Sequence, residues 1–386
     1  MLDKIAFISS FYPETNYSRY LSEELIRQIK KNNFEIEFYA EKNEKPLSCY
    51  HLKTWNKGLI SIVDIAKKII KQKPKLAHFQ HEINMYGGTL SAFLFPFLVG
   101  LTKLLRIKIL ITIHAVPDLR LVDKEFIGFF RKNTNLIHPF VLRIFFKYLF
   151  FLLGIFSDLL IVHTETLKKT LTNDYKLESN KIKVISHGVD THNLNLSKQK
   201  SNEKYFLYFG YLSKRKGILD ILDGYSKFIK NNPVQEFKLI LAGGVITGQE
   251  YAFEEIKSYI ERLNIKEKVE ITGFVDNAKI KQLFVNAYVV LVPAVISISA
   301  SGPLAQAYSY NKCVIASKLG NFCEEVTNDY DGFLVEKSGW GDKLAYVVNN
   351  YQHVINIEQN VKNKALQRSW KNISALHLNL YKSLID

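Results

Sequence analysis

Short apolar runs recur along the chain, mostly β-branched and each closed by glycine, serine, proline or a charged residue. The runs Val289–Val292 and Val314–Ala316 are the clearest. Both are apolar at every position, as strands buried on both faces of a parallel sheet are. The same pattern places strands at Ile5–Ser9, Phe34–Tyr39, Leu76–Gln80, Lys108–Ile113, Leu159–Val162 and Lys183–His187. Further strands fall at Tyr205–Phe209, Lys238–Ala242, Val269–Phe274 and Gly332–Val335. Between them the period lengthens to that of amphipathic helices. One runs from the loop Ser10–Ser18 through Lys31, a second over Leu59–Lys71, and others follow Gly217 and start near Pro303. The apolar stretch Phe140–Val162 is long enough to suggest a membrane span, but Lys147, Gly154 and Asp158 interrupt it. A helix ending near Phe156, followed by a strand, explains it better. Strands alternating with helices predict an α/β chain with parallel sheets.

At 386 residues the chain exceeds one ordinary core, so two domains are expected. The polar, Asn/Ser/Lys-rich stretch 191–204 has no period and reads as the linker. It separates a first domain over 1–190 from a second over 205–365. Cys49, Cys313 and Cys323 make neither a pairing framework nor a metal spacing, which fits a reducing, cytoplasmic setting. The apolar run at the N-terminus is too short for a signal peptide and reads as the first buried strand.

Charge changes the picture in one region. The chain carries a formal net charge of +15. Residues 51–150 hold 16 Lys and Arg against 5 Asp and Glu. The aromatic runs Phe93–Leu98 and Phe140–Leu153 lie in the same segment. Basic charge beside aromatics predicts a peripheral association with an anionic membrane surface. No nucleic-acid module accompanies it, so nucleic acid is not expected as a partner.

Several strand ends carry candidate chemistry. The Ser/Gly/Pro loop Ser297–Gly302 feeds a helix and brings backbone N–H groups to a sheet's carboxyl edge, where anions and nucleotides bind. Gly210-Tyr211-Leu212-Ser213-Lys214-Arg215-Lys216-Gly217 follows a strand and leads into a helix, forming a phosphate cradle with cationic groups. Lys238–Ala242 ends in Gly243-Gly244. Gly273-Phe274-Val275 offers a wall on which a base could stack. His78-Phe79-Gln80-His81-Glu82 lies on a strand running into a loop, so its order is no zinc-protease motif. Asp329-Tyr330-Asp331 reads as a turn, and no metal is expected.

Taken in order, these pieces resemble the retaining GT-B glycosyltransferases of family 4. Leu304-Ala305-Gln306-Ala307, Cys313-Val314-Ile315-Ala316-Ser317, Gly320-Asn321-Phe322-Cys323-Glu324 and Asp331-Gly332-Phe333-Leu334-Val335 match the family's donor-binding core. Val184-Ile185-Ser186-His187-Gly188-Val189-Asp190 is similar to the segment that closes its first domain. Thr112 and His114 resemble its T-x-H motif, and Lys216 falls on the lysine of its G-R-L-x-x-x-K-G. The resemblance implies two doubly wound Rossmann-like domains facing across a cleft, with a terminal helix, 366–386, crossing back to the first domain. It implies a hexosyltransferase using a nucleotide diphosphate sugar as co-substrate, with no cofactor and a glycan or lipid-linked acceptor. His114 would face the donor sugar and Lys216 would stabilise the leaving group. Gly210, Tyr211, Arg215, Gly243, Phe274, Ser299, Ser301, Gly302, Leu304 and Gln306 would bind the donor. Asn16, Tyr17, Gln80, His81 and Glu82 would line the acceptor side.

The departures are specific. Glu14-Thr15-Asn16-Tyr17 stands where the family has a Gly-Gly pair, and Tyr211 where it has an arginine, whose contact Lys214 or Arg215 could supply. Ile298 and Gln306 stand where it has two glutamates. These losses leave two rivals, an inactive GT-B partner subunit and a GT-B epimerase acting on free nucleotide sugars.

Overall fold

The computed structural model describes residues 2–11, 17–29, 34–44, 48–196 and 203–386. The first domain holds seven strands: β1 (Asp3–Ile8), β2 (Phe34–Glu41), β3 (His51–Trp55), β4 (Leu76–His81), β5 (Lys108–Ile113), β6 (Leu159–Val162) and β7 (Ile182–Val184). They form one sheet in the order β3-β2-β1-β4-β5-β6-β7. The second domain holds β8 (Tyr205–Phe209), β9 (Lys238–Ala242), β10 (Val269–Gly273), β11 (Val289–Val292), β12 (Val314–Ser317) and β13 (Phe333–Val335). Their order is β10-β9-β8-β11-β12-β13. Every pairing in both sheets is parallel.

Strand order reverses between β1 and β4 in one sheet and between β8 and β11 in the other. At such switch points the loops at the carboxyl ends diverge and leave a crevice. The lengths follow from the sequence: β11 and β12 are buried at every position. The edge strand β3 had no legible apolar run. It is held because Trp55 is fully buried and its indole N–H donates to the Tyr39 carbonyl at 3.2 Å.

The terminal helix Trp370–Ile385 leaves the second domain and packs on the first. Ile373, Leu378 and Tyr381 share one core with Ile5, Phe7, Leu21 and Leu25. The second domain reaches back in a different way. Ile296 and Ile298, from the loop after β11, are buried in the first domain's core. The Val116 N–H donates to the Ile298 carbonyl at 2.8 Å, and Ala115 pairs with Ser299 as an antiparallel bridge.

Candidate functional site

At the carboxyl edge of the second sheet two glycine turns press together. Gly210 and Gly243 both have left-handed φ, and a Cβ on Gly243 would collide with the Gly210 carbonyl. Only glycine permits that approach. Gly244 lies flat against the Phe274 ring, and the Tyr211 and Phe274 rings meet edge-on at 6.0 Å. Both aromatics remain exposed, so the wall expected for a base is present as an open surface. Gly217, at φ +62°, ends the cationic turn, and its α-carbon approaches the Ala294 backbone.

The three cations of that turn have separate surroundings. Lys214 pairs with Glu255 at 2.9 Å, with both side chains exposed. Arg215 sits over the Phe130 ring of the first domain at 5.9 Å. Lys216 makes no salt bridge among the described residues. Its ammonium is pushed down to about 7, first by burial and then by Arg215, while Glu82 opposes the shift. Glu82 stands exposed at the end of β4, near enough for its charge to act on Lys216.

The Ser/Gly loop departs from expectation in two places. The Ser301 hydroxyl accepts from Leu304 N–H at 3.2 Å, capping the helix Gly302–Ser309. These two groups satisfy each other, as an N-cap serine does, and are not both available to a phosphate. Gly302 remains exposed at the helix start, with open space around its Cα. Ser299 is half-buried, and its carbonyl accepts from the Asn321 amide at 3.2 Å. Ile298 occupies its glutamate position as an apolar plug into the first domain. Gln306 lines a separate interdomain cleft of about 300 Å³ with Arg19, Tyr20, Asn277, Lys281 and Tyr310.

Most of the expected acceptor side is interior. Tyr17 is buried, with His114, His163, His187 and Trp370 packed around its ring at 4.9–5.3 Å. Gln80 is fully buried and bonded to two histidines. His81 packs between Phe95 and Phe150. The terminal helix covers the Tyr17 and His78 face of this edge from outside the local sequence, while helices Thr89–Leu104 and Pro139–Phe156 cover the His81 face. Of the five, Glu82 alone is presented to the cleft among the described residues, and Asn16 lies outside them. His114 follows β5 as expected, but both its ring nitrogens are engaged: Nε2 with Gln80 at 2.8 Å and Nδ1 with His163 at 3.0 Å.

Three residues escaped the sequence reading. His163 backs His114. Asn321 accepts from the Thr164 hydroxyl at 2.6 Å and donates to the Ser297 hydroxyl at 3.1 Å, joining the domains below the loop. Glu325 is buried and accepts from Ser301 N–H. The acidic pair Glu324-Glu325 was visible, yet nothing local separates their fates. Glu324 caps the first-domain helix Glu165–Tyr175 through the N–H groups of Glu165 and Thr166.

Burial raises the Glu325 carboxyl to about 7, against the pull of Arg368, Ser301 N–H and Lys364. Between the unfolded value near 4.5 and about 7 the folded chain holds a proton that the unfolded chain releases. Stability therefore falls as pH rises through that window, and the full cost is present above 7. Glu325→Gln should stabilise by about 3 kcal/mol at pH 8 and about 2 kcal/mol at pH 6. Thermal unfolding at the two pH values checks this.

Comparison with known proteins adds to this geometry. The family model described as Glycosyltransferase Family 4 matches residues 20–193, and that described as Glycosyl transferases group 1 matches residues 192–365. The uncharacterized glycosyltransferase MJ1607 of Methanocaldococcus jannaschii is 25% identical over 250 residues, covering 58% of this chain and 60% of that protein. The O-antigen chain mannosyltransferase RfbU of Salmonella typhimurium is 27% identical over 191 residues, covering 49% of this chain and 50% of its own. The chain thus spans about half to three fifths of the curated relatives it matches. Among solved structures, Anabaena HepE in complex with UDP superposes with a TM-score of 0.70 at 16% identity, covering 99% of this chain and 100% of that one. Sucrose-phosphate synthase from Thermosynechococcus elongatus gives 0.72 at 15% identity, covering 99% of each. Both carry the GT-B arrangement seen here. Joined end to end over residues 20–365, on two all-parallel domains facing across a cleft, these matches place the chain among the GT-B glycosyltransferases of family 4 and group 1.

Proposed function

We propose that the chain transfers a hexose from a nucleotide diphosphate sugar to a hydroxyl of a glycan or lipid-linked acceptor, with retention of anomeric configuration and without a metal. The observation that carries this is the convergence of the Gly210 and Gly243 turns, Lys216 and the open helix start at Gly302 on one sheet edge, with Glu82 nearby. The bond from C1 to the diphosphate breaks, and C1 bonds to the acceptor oxygen on the same face. The acceptor's proton leaves with the diphosphate. Positive charge on Lys216 and Arg215, and the N–H dipoles at the helix start, stabilise the departing anion. His114 borders the sugar, and Phe274 and Tyr211 border the base. HepE was solved with UDP and RfbU is named for mannose, which makes uridine and guanosine diphosphate sugars the first donors to try. Proton NMR of the product formed from an α-linked donor tests the reading: an α-linked product is expected, and a β-linked one would overturn retention. The buried Ile298 favours one second reading, a partner subunit without donor chemistry, which would bind no nucleotide sugar.

The first domain's surface supports a membrane setting for the acceptor. Helices Thr89–Leu104 and Pro139–Phe156 lie side by side, with Phe93 stacked on Tyr148 at 4.9 Å and Gly100 against the Phe156 ring. Phe97, Leu101, Leu104, Ile144, Phe151 and Ile155 remain exposed on them. Lys147, Arg106 and Lys108 stand exposed on or beside the same helices. Such a face lies on the inner, anionic leaflet of the cytoplasmic membrane. Sedimentation with anionic vesicles at low salt should carry most of the protein down, and Phe97→Glu with Phe151→Glu should leave it in the supernatant. Equal recovery with and without vesicles would remove the membrane from the account.

A further inference from the structure

Behind His114 lies a buried set of polar groups that the proposed reaction does not use. Its bonds form an unbroken series. His163 Nδ1 is 2.9 Å from the Ile185 carbonyl, and His163 Nε2 is 3.0 Å from His114 Nδ1. His114 Nε2 is 2.8 Å from Gln80 Oε1, and Gln80 Nε2 is 2.9 Å from His78 Nε2. His78 Nδ1 is 2.7 Å from the Tyr381 hydroxyl on the terminal helix.

The direction of this series is fixed at one end. A carbonyl oxygen only accepts, so His163 carries its proton on Nδ1 and leaves Nε2 bare. The bare nitrogen requires a donor, so His114 carries its proton on Nδ1. If His114 is neutral, its own Nε2 is then bare and must receive an N–H, so the oxygen and nitrogen ends of the Gln80 amide exchange places, an assignment that the hydrogen-bond network decides. The Gln80 carbonyl then faces His78 and accepts from its Nε2–H, which the Thr112 hydroxyl at 2.8 Å can share. His78 Nδ1 is left to accept from the Tyr381 O–H. With the amide so turned, every donor meets an acceptor and no ring carries a charge. With the carbonyl kept on His114 Nε2, the two rings between that oxygen and the Ile185 carbonyl would need three protons, leaving a buried imidazolium on His114 or His163.

We infer that Tyr381, His78, Gln80 and His163 are positioning residues that hold His114 as a neutral imidazole with its proton on Nδ1. The surroundings support neutrality. His163 and His187, at the ends of β6 and β7, and His81 and His78 on β4 all oppose a positive charge on His114, on top of its burial. Tyr17 of the first helix closes the ring's remaining side, edge-on at 4.9 Å. A second tie follows the same logic: His377 Nδ1 donates to the Ile373 carbonyl, so its Nε2 accepts from the Tyr17 hydroxyl at 3.4 Å.

Neutrality has a use that rests on the proposed function. A sugar losing its diphosphate gains positive character, which a neighbouring imidazolium would repel. Keeping His114 neutral confines the cleft's positive charge to Lys216 and Arg215 on the phosphate side. The terminal helix thereby takes part in the site through a hydroxyl, as well as covering a core.

The test is long-range proton–nitrogen NMR on the full chain labelled with ¹⁵N-histidine at pH 7.5, with signals assigned by single His→Gln variants. His114, His163 and His377 should each show one protonated Nδ1 and one bare Nε2, and His78 the reverse. An imidazolium pattern on His114, or a proton on its Nε2, would overturn the inference whatever the enzyme's activity. Gln80→Glu supplies the converse. A carboxylate accepts only, so His114 should become an imidazolium in the spectrum, and kcat should fall 10- to 100-fold while the nucleotide sugar still binds. An imidazolium with unchanged kcat would refute the role in catalysis alone. If Gln80→Glu does not fold, the wild-type spectrum decides the tautomer, and Tyr381→Phe serves as the functional variant. It removes the first donor of the series and should lower kcat several-fold with KM unchanged; unchanged kcat would again refute the catalytic role.

Discussion

Acidification from pH 7.5 to 5 is expected to unfold the chain in one steep step that takes up several protons. Seven histidines (His51, His78, His81, His114, His163, His187 and His377) are held below the ordinary imidazole value, each first by burial. Four of them lie near 4 and His163 near 3. In the unfolded chain all would titrate near 6.5. Between those values the unfolded chain binds protons that the folded chain refuses, so stability is lost as pH falls through 6.5. Each such histidine costs roughly 2 kcal/mol at pH 5. The five with those values together come to about 10 kcal/mol, comparable to the 5–15 kcal/mol that holds a typical native chain, and His78 and His114 add in the same direction. Glu325 acts in the opposite direction, but as a single group. Tryptophan emission reports the event, because Trp55 and Trp370 are both buried in or against the first domain. A folded emission spectrum maintained to pH 4.5 would mean that the histidines are not buried as described.

The second large effect concerns Lys216. Its ammonium, held at about 7 in the free chain, is mostly neutral at pH 8.5. A diphosphate favours the charged form, so binding above pH 7 should take up close to one proton. Affinity for a nucleotide sugar, whose diphosphate does not titrate in this range, should fall by up to about tenfold per pH unit above 7. Calorimetry at pH 8.5 in two buffers of different ionisation enthalpy measures the uptake. Lys216→Ala should abolish it and lower kcat by about 100- to 1,000-fold, the usual loss when one stabilising donor is removed from a developing anion. Affinity that stays level from pH 6.5 to 9 would show that Lys216 does not meet the phosphates.

Local pattern was enough to read much of the architecture. Val289–Val292 and Leu159–Val162 fall where their apolar runs end, because a buried parallel strand needs apolar residues on both faces. Lys216, Tyr211 and Phe274 were legible for a similar reason: a glycine turn after a strand leaves neighbouring side chains at the sheet edge. Tyr17 and Gln80 were misread because their exposure is decided by a helix about 300 residues away and the histidines it covers, and His81 because Phe95 and Phe150 close over the other face of the strand. Ser301 and Leu304 form an N-cap pair that local sequence did contain, since serine two or three residues ahead of a helical N–H is the usual cap. Ile298 was seen as a lost glutamate. Its role as an interdomain plug depends on Ala115 and Val116, and no spacing within its own loop encodes that.

The central claim is that the second domain's sheet edge binds the diphosphate of a nucleotide sugar. Thermal unfolding of wild type and Lys216→Ala against a panel of nucleoside diphosphates and their sugars at pH 7 tests it most directly. A ligand at 100 times its dissociation constant stabilises by about 2.7 kcal/mol, a shift well within reach of the method. The account predicts a rise in melting temperature with one base, present with the diphosphate and its sugar, and much reduced in Lys216→Ala. No rise with any nucleotide in the wild type would contradict it and favour the partner-subunit reading.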